Sequence, residues 1–249
     1  MVGGIKKVCD RIKDDKDGYW LAVGDLIENS VITSVGSIFE QNATPHEQIN
    51  TVVDLLAPIA HKCLGVTSGN HSARTKKIVG IDPDQLIVEL LSGRKKAADI
   101  PNFKDKYFGY SVQGVIKVGK GQYRIMAHHT TGGGTTAGGK VNALVKLRNV
   151  INNAHIYIGA HTHADIAITE PTFEISNCSG GCVISKYDQH FTGSGSTLDY
   201  ARSYAHGKGY KPAATCQVVL HLGDRIHGGQ VGKGRGEWSL PYDREVIRL

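Results

Sequence analysis

Four short stretches of this 249-residue chain stop on side chains that bind cations: Gly24-Asp25, Gly69-Asn70-His71, His128-His129 and His161-Thr162-His163. Three of them follow an apolar run of the kind that makes a buried strand. That placement limits the fold sharply. It puts Asp, Asn and His at the carboxyl ends of parallel strands, where open α/β sheets bind their ligands. Oxygen and imidazole donors together suit a divalent transition metal. Two such ions held close together suit hydrolysis of a phosphoester.

The sequence between the motifs supports an α/β class. Residues 4–17 carry Ile5, Val8, Cys9 and Ile12 on one helical face, and Gly18 ends that helix. Residues 19–23 are a short apolar run, hence a strand. After a loop or short helix at 30–44, Pro45 opens a second helix to about residue 63, with Ile49, Val52, Val53, Leu56 and Ile59 at helical spacing. Residues 64–67 form a brief strand and 84–98 a third amphipathic helix. Strands follow at 110–118 and 123–127, joined by the turn Gly119-Lys120-Gly121. A glycine-rich loop at 130–139 precedes a helix at 141–152 and a strand at 155–159. Beyond Asp165 short β-like runs take over, at 173–175, 182–185, 215–222 and 245–249, with 192–210 as a long surface loop. One domain over 1–249 is expected, its motif-bearing α/β part at about 1–165 and its β-rich part at about 166–249.

Composition narrows the function. Hydrophobic residues make up 40% and charged residues 21%, as in ordinary globular chains. No run approaches the ~18 apolar residues that cross a bilayer. The charged N-terminus lacks the apolar core of a secretory signal. The expectation is a cytoplasmic protein without a membrane partner. Five cysteines (Cys9, Cys63, Cys178, Cys182, Cys216) are an odd number and read as free thiols in a reducing compartment. A zinc pair at Cys178 and Cys182 would need two more ligands, and none is near in sequence. The net charge of +6 and pI near 9.0 favour polyanionic partners, including nucleic acid. The basic residues are dispersed, however, and a solvated surface is the simpler account.

Each motif taken singly has a plain alternative. Gly-Asp is a common turn pair and recurs at Gly223-Asp224, although an Asp at a strand end can bridge two cations. Asn70 can offer an amide oxygen while His71 serves as proton donor, but Gly-Asn-His alone also makes an ordinary turn. His161 and His163 would leave the same face of an extended segment, where a metal is their natural use. Of His128 and His129, alternation lets one reach a metal while the other faces away. The stretch 134–140 matches most of a phosphate-binding P-loop, but Val141 lacks the hydroxyl that would hold Mg²⁺. It reads as a flexible loop beside the site, whose backbone N–H groups can meet a substrate phosphate.

Taken in order, the four motifs resemble the calcineurin-like metallophosphoesterase superfamily over about residues 20–165. That family reads Asp-x-His, Gly-Asp, Gly-Asn-His, a strand-end His and Gly-His-x-His. The resemblance implies two mixed β-sheets packed face to face and flanked by helices, a four-layer αββα arrangement with metals at the strand ends. It implies that Asp25 bridges two metals, that Asn70, His128 and His161 complete one site, and that His163 contributes to the other. His71 would be the catalytic histidine beside the leaving group. His128 is favoured over His129 as the residue directly following its strand. The metal would be Mn²⁺, with Fe or Zn²⁺ as alternatives, since the set has no thiolate. The implied reaction is hydrolysis of a phosphoester by a hydroxide held between the metals. A phosphodiester, with nuclease-like action on nucleic acid, comes ahead of a phosphomonoester or phosphoprotein. The opening Asp-x-His is absent, and residues 4–17 correspond to the helix that follows it, so the first strand is expected to be missing. One metal would then keep only Asp25 and His163. Two explanations stand: an incomplete chain of an active protein, or an impaired metal-binding remnant or interaction domain. The intact remaining ligands favour the first. Ser72 also stands where many relatives carry an acid, and Ala160 interrupts the Gly-His junction.

Overall fold

In the computed structural model, which describes every residue except 1, 33, 35–37, 40, 133, 179–180, 199, 201–203, 208 and 228–237, the chain opens with helix α1 (Val2–Asp14). Its apolar stripe of Ile5, Cys9 and Ile12 is why it forms and what it buries. Strand β1 (Trp20–Val23) runs parallel to β2 (Cys63–Thr67). Between them lies α2 (Pro45–Leu56), started by a capping box in which Thr44 and Glu47 satisfy each other's backbone N–H, with proline in the first turn. A 3₁₀ turn, Ala57–Lys62, carries the chain into β2. Then come α3 (Asn70–Val79), α4 (Pro83–Ser92), capped by the Asp82 carboxylate, and the single turn α5 (Lys95–Ala98).

The next strands are β3 (Ser111–Val118), β4 (Gly121–His128) and, after α6 (Ala137–Val145), β5 (Ile156–Gly159). The hairpin β6 (Ile166–Cys178) and β7 (Gly181–Gly193) completes a five-stranded mixed sheet of order β3-β4-β5-β7-β6. Strands β4, β5 and β7 are parallel, and the edges β3 and β6 are antiparallel to their neighbours. The turn α7 (Tyr204–Gly207) leads to β8 (Cys216–Leu222), β9 (Ile226–His227), β10 (Trp238–Ser239) and β11 (Tyr242–Arg248). These last four pair as two antiparallel ribbons, β8 with β11 and β9 with β10.

Three apolar cores join the layers. Helices α1, α2 and α4 cover one face of β1–β2 through Val53, Ile59, Val66, Ile87 and Leu91. Side chains of this kind stabilise by about 1.5–3 kcal/mol each when fully buried. The alternate residues of β1, Leu21 and Val23, turn the other way and meet Tyr123, Ile125, Ala127 and Ile156 of the large sheet. Leu220 and Leu222 of β8 and Tyr242 of β11 share that second core. On the far face of the large sheet, Met126, Tyr157 and Phe191 pack under Leu144 and Leu147. The protein is therefore α/β, a five-stranded mixed sheet with flanking helices, and the strands covering its other face form only two-stranded sheets. Arg11 of α1 forks onto the Glu245 carboxylate of β11, both N–O distances being 2.6 Å.

Several elements differ from the sequence expectation; the helix expected at 84–98 breaks at Gly93 into α4 and α5, and those expected to 63 and 152 finish as 3₁₀ turns. Helix α3 was not expected, because its charged residues give no apolar stripe. The short runs at 173–175 and 182–185 are parts of two 13-residue strands. Their distal halves leave the apolar Phe173, Ile175 and Ile184 exposed. Of the loop expected at 192–210, residues 192–193 end β7 and 204–207 form α7, while 199, 201–203 and 208 lie outside the described residues. Among the described residues no helix is long and apolar enough to cross a membrane.

Candidate metal centre

Strands β1 and β2 end side by side at Val23 and Thr67, and the two loops that leave them touch. Two glycines permit the contact. Gly24 turns with φ +73°, and a Cβ there would stand 2.7 Å from both Gly69 Cα and His129 Nδ1. A Cβ on Gly69 would overlap the Asp25 carboxylate and backbone nitrogen. Any side chain at either position would push the loops apart. With both glycines in place, Asp25 Oδ1 accepts the His71 backbone N–H at 2.8 Å.

Side chains from four strand ends then converge. Donor atoms of Asp25, His129 and His161 all lie within 4.8 Å of one another. His129 Nε2 is 2.9 Å from Asp25 Oδ2 and 2.9 Å from Asn70 Oδ1. His161 Nδ1 is also 2.9 Å from Asn70 Oδ1. Asp25, Asn70 and His161 thus meet as the sequence suggested.

His128, the strand-end residue favoured from sequence, does not meet them; its neighbour His129 does. The reason is strand parity. Ile125 and Ala127 of β4 face β1, while Met126 faces α6. His129 continues the first series and His128 the second. The His128 ring instead accepts the Thr130 N–H through Nδ1 at 2.7 Å. His128 is itself the last residue of β4, so the residue directly following the strand is His129.

The 161–163 segment is not extended, as the same-face argument required. His161 and His163 both have left-handed backbones, φ +68° and +50°, and Thr162 N–H bonds back to the Ala160 carbonyl at 2.8 Å. His163 is not one of the three residues whose donor atoms lie within 4.8 Å of one another, although the Asp25 charge reaches its ring, and burial pushes its pKa down to about 4. Asp25 is left-handed too, at φ +50°. Such conformations cost about 1–3 kcal/mol each and persist where the surroundings enforce them, most often at functional sites.

Electrostatics single out one pair. Burial alone would raise the Asp25 carboxyl, but the hydrogen bond and charge of His129 hold it below the usual carboxylate range. Burial likewise opposes charge on His129, and Asp25 reverses this and raises the ring's pKa. His161 is lowered by burial and by the charge of His129. His71, lowered chiefly by burial, has Nε2 3.7 Å from Asp25 Oδ2 and Nδ1 3.8 Å from Glu28 Oε2. That Nδ1 is buried without a hydrogen bond. Burial raises the Glu28 carboxyl, against the charge of Arg74.

The donor chemistry fits a cation. His129 Nδ1 lies 2.7 Å from the Val23 carbonyl oxygen, which can only accept, so this nitrogen carries the proton. In the neutral ring, Nε2 then presents a lone pair toward a carboxylate oxygen and an amide oxygen. A ring fixed through its second nitrogen by a backbone carbonyl is the usual setting of a metal-binding histidine. Sequence reasoning missed Glu28, although it stands three residues after Asp25, and missed Asp84, whose carboxylate accepts the Gly69 N–H at 3.0 Å. In comparisons with protein-family models, curated proteins and solved structures, nothing matches this chain.

Proposed function

We propose that this protein is a metal-dependent phosphoester hydrolase of the calcineurin-like type, with Asp25, Asn70, His129 and His161 as ligands of one divalent ion. The observation that carries this reading is the pair of contacts at His129, whose Nδ1 meets Val23 O at 2.7 Å while Nε2 turns to Asp25 and Asn70. The ligand set has two oxygens, two imidazoles and no thiolate, which supports Mn²⁺, with Fe or Zn²⁺ as alternatives. An ion held there supplies Lewis acidity, lowering the pKa of water and neutralising charge on phosphoryl oxygens. His71 stands beside the ligands, where it donates a proton to, or stabilises, the departing oxygen. Positive charge from Arg74 reaches His71 and His161, and that of Lys140 reaches His163, which favours an anionic substrate.

The layering supports the same family. In this reading β1–β2 and β8–β11 are the two parts of a second β layer, between α1, α2, α4 and the large sheet. The substrate is a phosphodiester ahead of a phosphomonoester, with nucleic acid among the candidates on the basic balance of the chain. A second reading, a protein that binds one ion without turnover, draws on the cluster of Asp25, His129 and His161, which provides for a single ion.

Purified protein with Mn²⁺ should hydrolyse bis-p-nitrophenyl phosphate, and Asn70→Ala or His161→Ala should abolish both hydrolysis and metal uptake. Hydrolysis that survives both changes would refute the site. One bound ion per chain without hydrolysis would leave only the second reading.

A further inference from the structure

Behind the cluster stands a carboxylate with no exposed surface. Asp84, in the first turn of α4, is 0% exposed, and its two oxygens serve two different loops. Oδ2 accepts the Gly69 N–H at 3.0 Å and Oδ1 the Leu26 N–H at 3.4 Å. Leu26 directly follows Asp25, and Gly69 directly precedes Asn70. The β1–β2 ladder stops at Val23 and Thr67, so beyond it no strand pairing sets the distance between the Asp25 and Asn70 side chains.

Asp84 is itself held rigidly. Asp82 caps α4 and accepts the Asp84 N–H at 3.1 Å. The other oxygen of Asp82 accepts from Ser68 Oγ at 2.9 Å and Tyr107 Oη at 2.6 Å. The segment 82–84 therefore grips the 68–69 turn from behind at two successive residues. A buried carboxylate is costly unless its lone pairs are used, and an apolar residue would fill the same space without that cost. What the carboxylate adds is simultaneous attachment to both loops.

We infer that Asp84 is a positioning residue of the cation site: without touching the ion, it fixes the spacing of Asp25 and Asn70. This rests on the cluster being a metal site. Groups that orient ligands from behind change metal affinity by about 10–100-fold when removed.

Manganese binding to the full chain, read from the free-ion electron paramagnetic resonance signal, tests the inference beside thermal unfolding. Asp84→Asn keeps the shape but loses one acceptor and the charge, and Asp84→Ser serves if the first variant does not fold. Val53→Ala, in the core between α2 and β2, is the control for lost stability alone. The expected result is a folded Asp84 variant that binds Mn²⁺ at least about tenfold more weakly, while Val53→Ala melts earlier with unchanged affinity. Wild-type affinity in the Asp84 variant, or an equal loss in Val53→Ala, overturns the inference while the metal site stands. A wild-type protein that takes up no Mn²⁺ overturns both together.

Discussion

The ring of His129, at the end of β4, is held by the carbonyl of Val23, at the end of β1, across a 2.7 Å contact to Nδ1. The contact joins the five-stranded sheet to the β1–β2 pair at the point where the donors converge. It also decides which nitrogen of His129 faces Asp25 and Asn70. His128, one residue earlier, belongs to the opposite face of the sheet. Replacing His129 by Ala is therefore expected to weaken Mn²⁺ binding by about 100-fold or more, beyond the loss typical of an orienting group. His128→Ala should leave affinity unchanged. Equilibrium dialysis of the two variants separates them, and the reverse order would return the ligand role to His128.

How much of this site is legible in the sequence depends on the range of the signal. Asp25, Asn70 and His161 stand out because a functional residue follows an apolar run directly. The choice between His128 and His129 turns on which face of β4 meets β1, and that is set by the packing of Ile125 and Ala127, far from β1 in sequence. The turn at 161–163 was hidden because left-handed backbone at histidine has no local cue comparable to glycine. Asp84 carries no strand-end signature, and only the fold brings α4 under the two loops. For the fold, helices with an apolar stripe, α1, α2 and α4, were readable. Helix α3 was not, since tertiary context and the β2 turn set it rather than periodicity.

His71 and Glu28 make a separable prediction. The His71 ring lies 3.7 Å from Asp25 and 3.8 Å from Glu28, beside the side chains proposed as ligands. Loss of a general acid typically costs about 10²–10⁴ in rate. His71→Ala should lower kcat for bis-p-nitrophenyl phosphate by that range with metal content intact. Glu28→Gln removes the neighbouring negative charge and leaves the imidazole, so its loss of kcat should be smaller at an unchanged KM. Equal metal loss in His71→Ala, measured by elemental analysis, would make it a ligand and contradict the assignment.

Gly69 tests the contact between the loops. Its missing Cβ is the space that the Asp25 carboxylate occupies. Gly69→Ala should destabilise by about 1–3 kcal/mol, the usual cost of overpacking, and should also weaken Mn²⁺ binding because Asp25 must move. Urea unfolding with and without Mn²⁺ gives both numbers. The backbone of Gly69 is extended at φ −102°, so the loss reports the contact with Asp25 and carries no left-handed strain.

His155 gives a prediction about stability that is independent of any metal. Its ring is buried, and its Nδ1 accepts the Arg124 N–H at 3.0 Å, so that lone pair is already in use. Burial first, then the positive charges of Arg124 and His190, push its pKa from 6.5 down to about 4. Between those two values the unfolded chain binds a proton that the folded chain refuses. The unfolded state therefore gains on acidification, and stability falls as pH drops from about 6.5 toward about 4. Asn at this position can accept the same N–H through its amide oxygen and does not titrate. In chelator-treated protein, His155→Asn should recover on the order of 1–3 kcal/mol of the stability that the wild type loses across that window. Urea midpoints measured at pH steps through it provide the check. Parallel curves for the two proteins would mean that His155 titrates alike in both states.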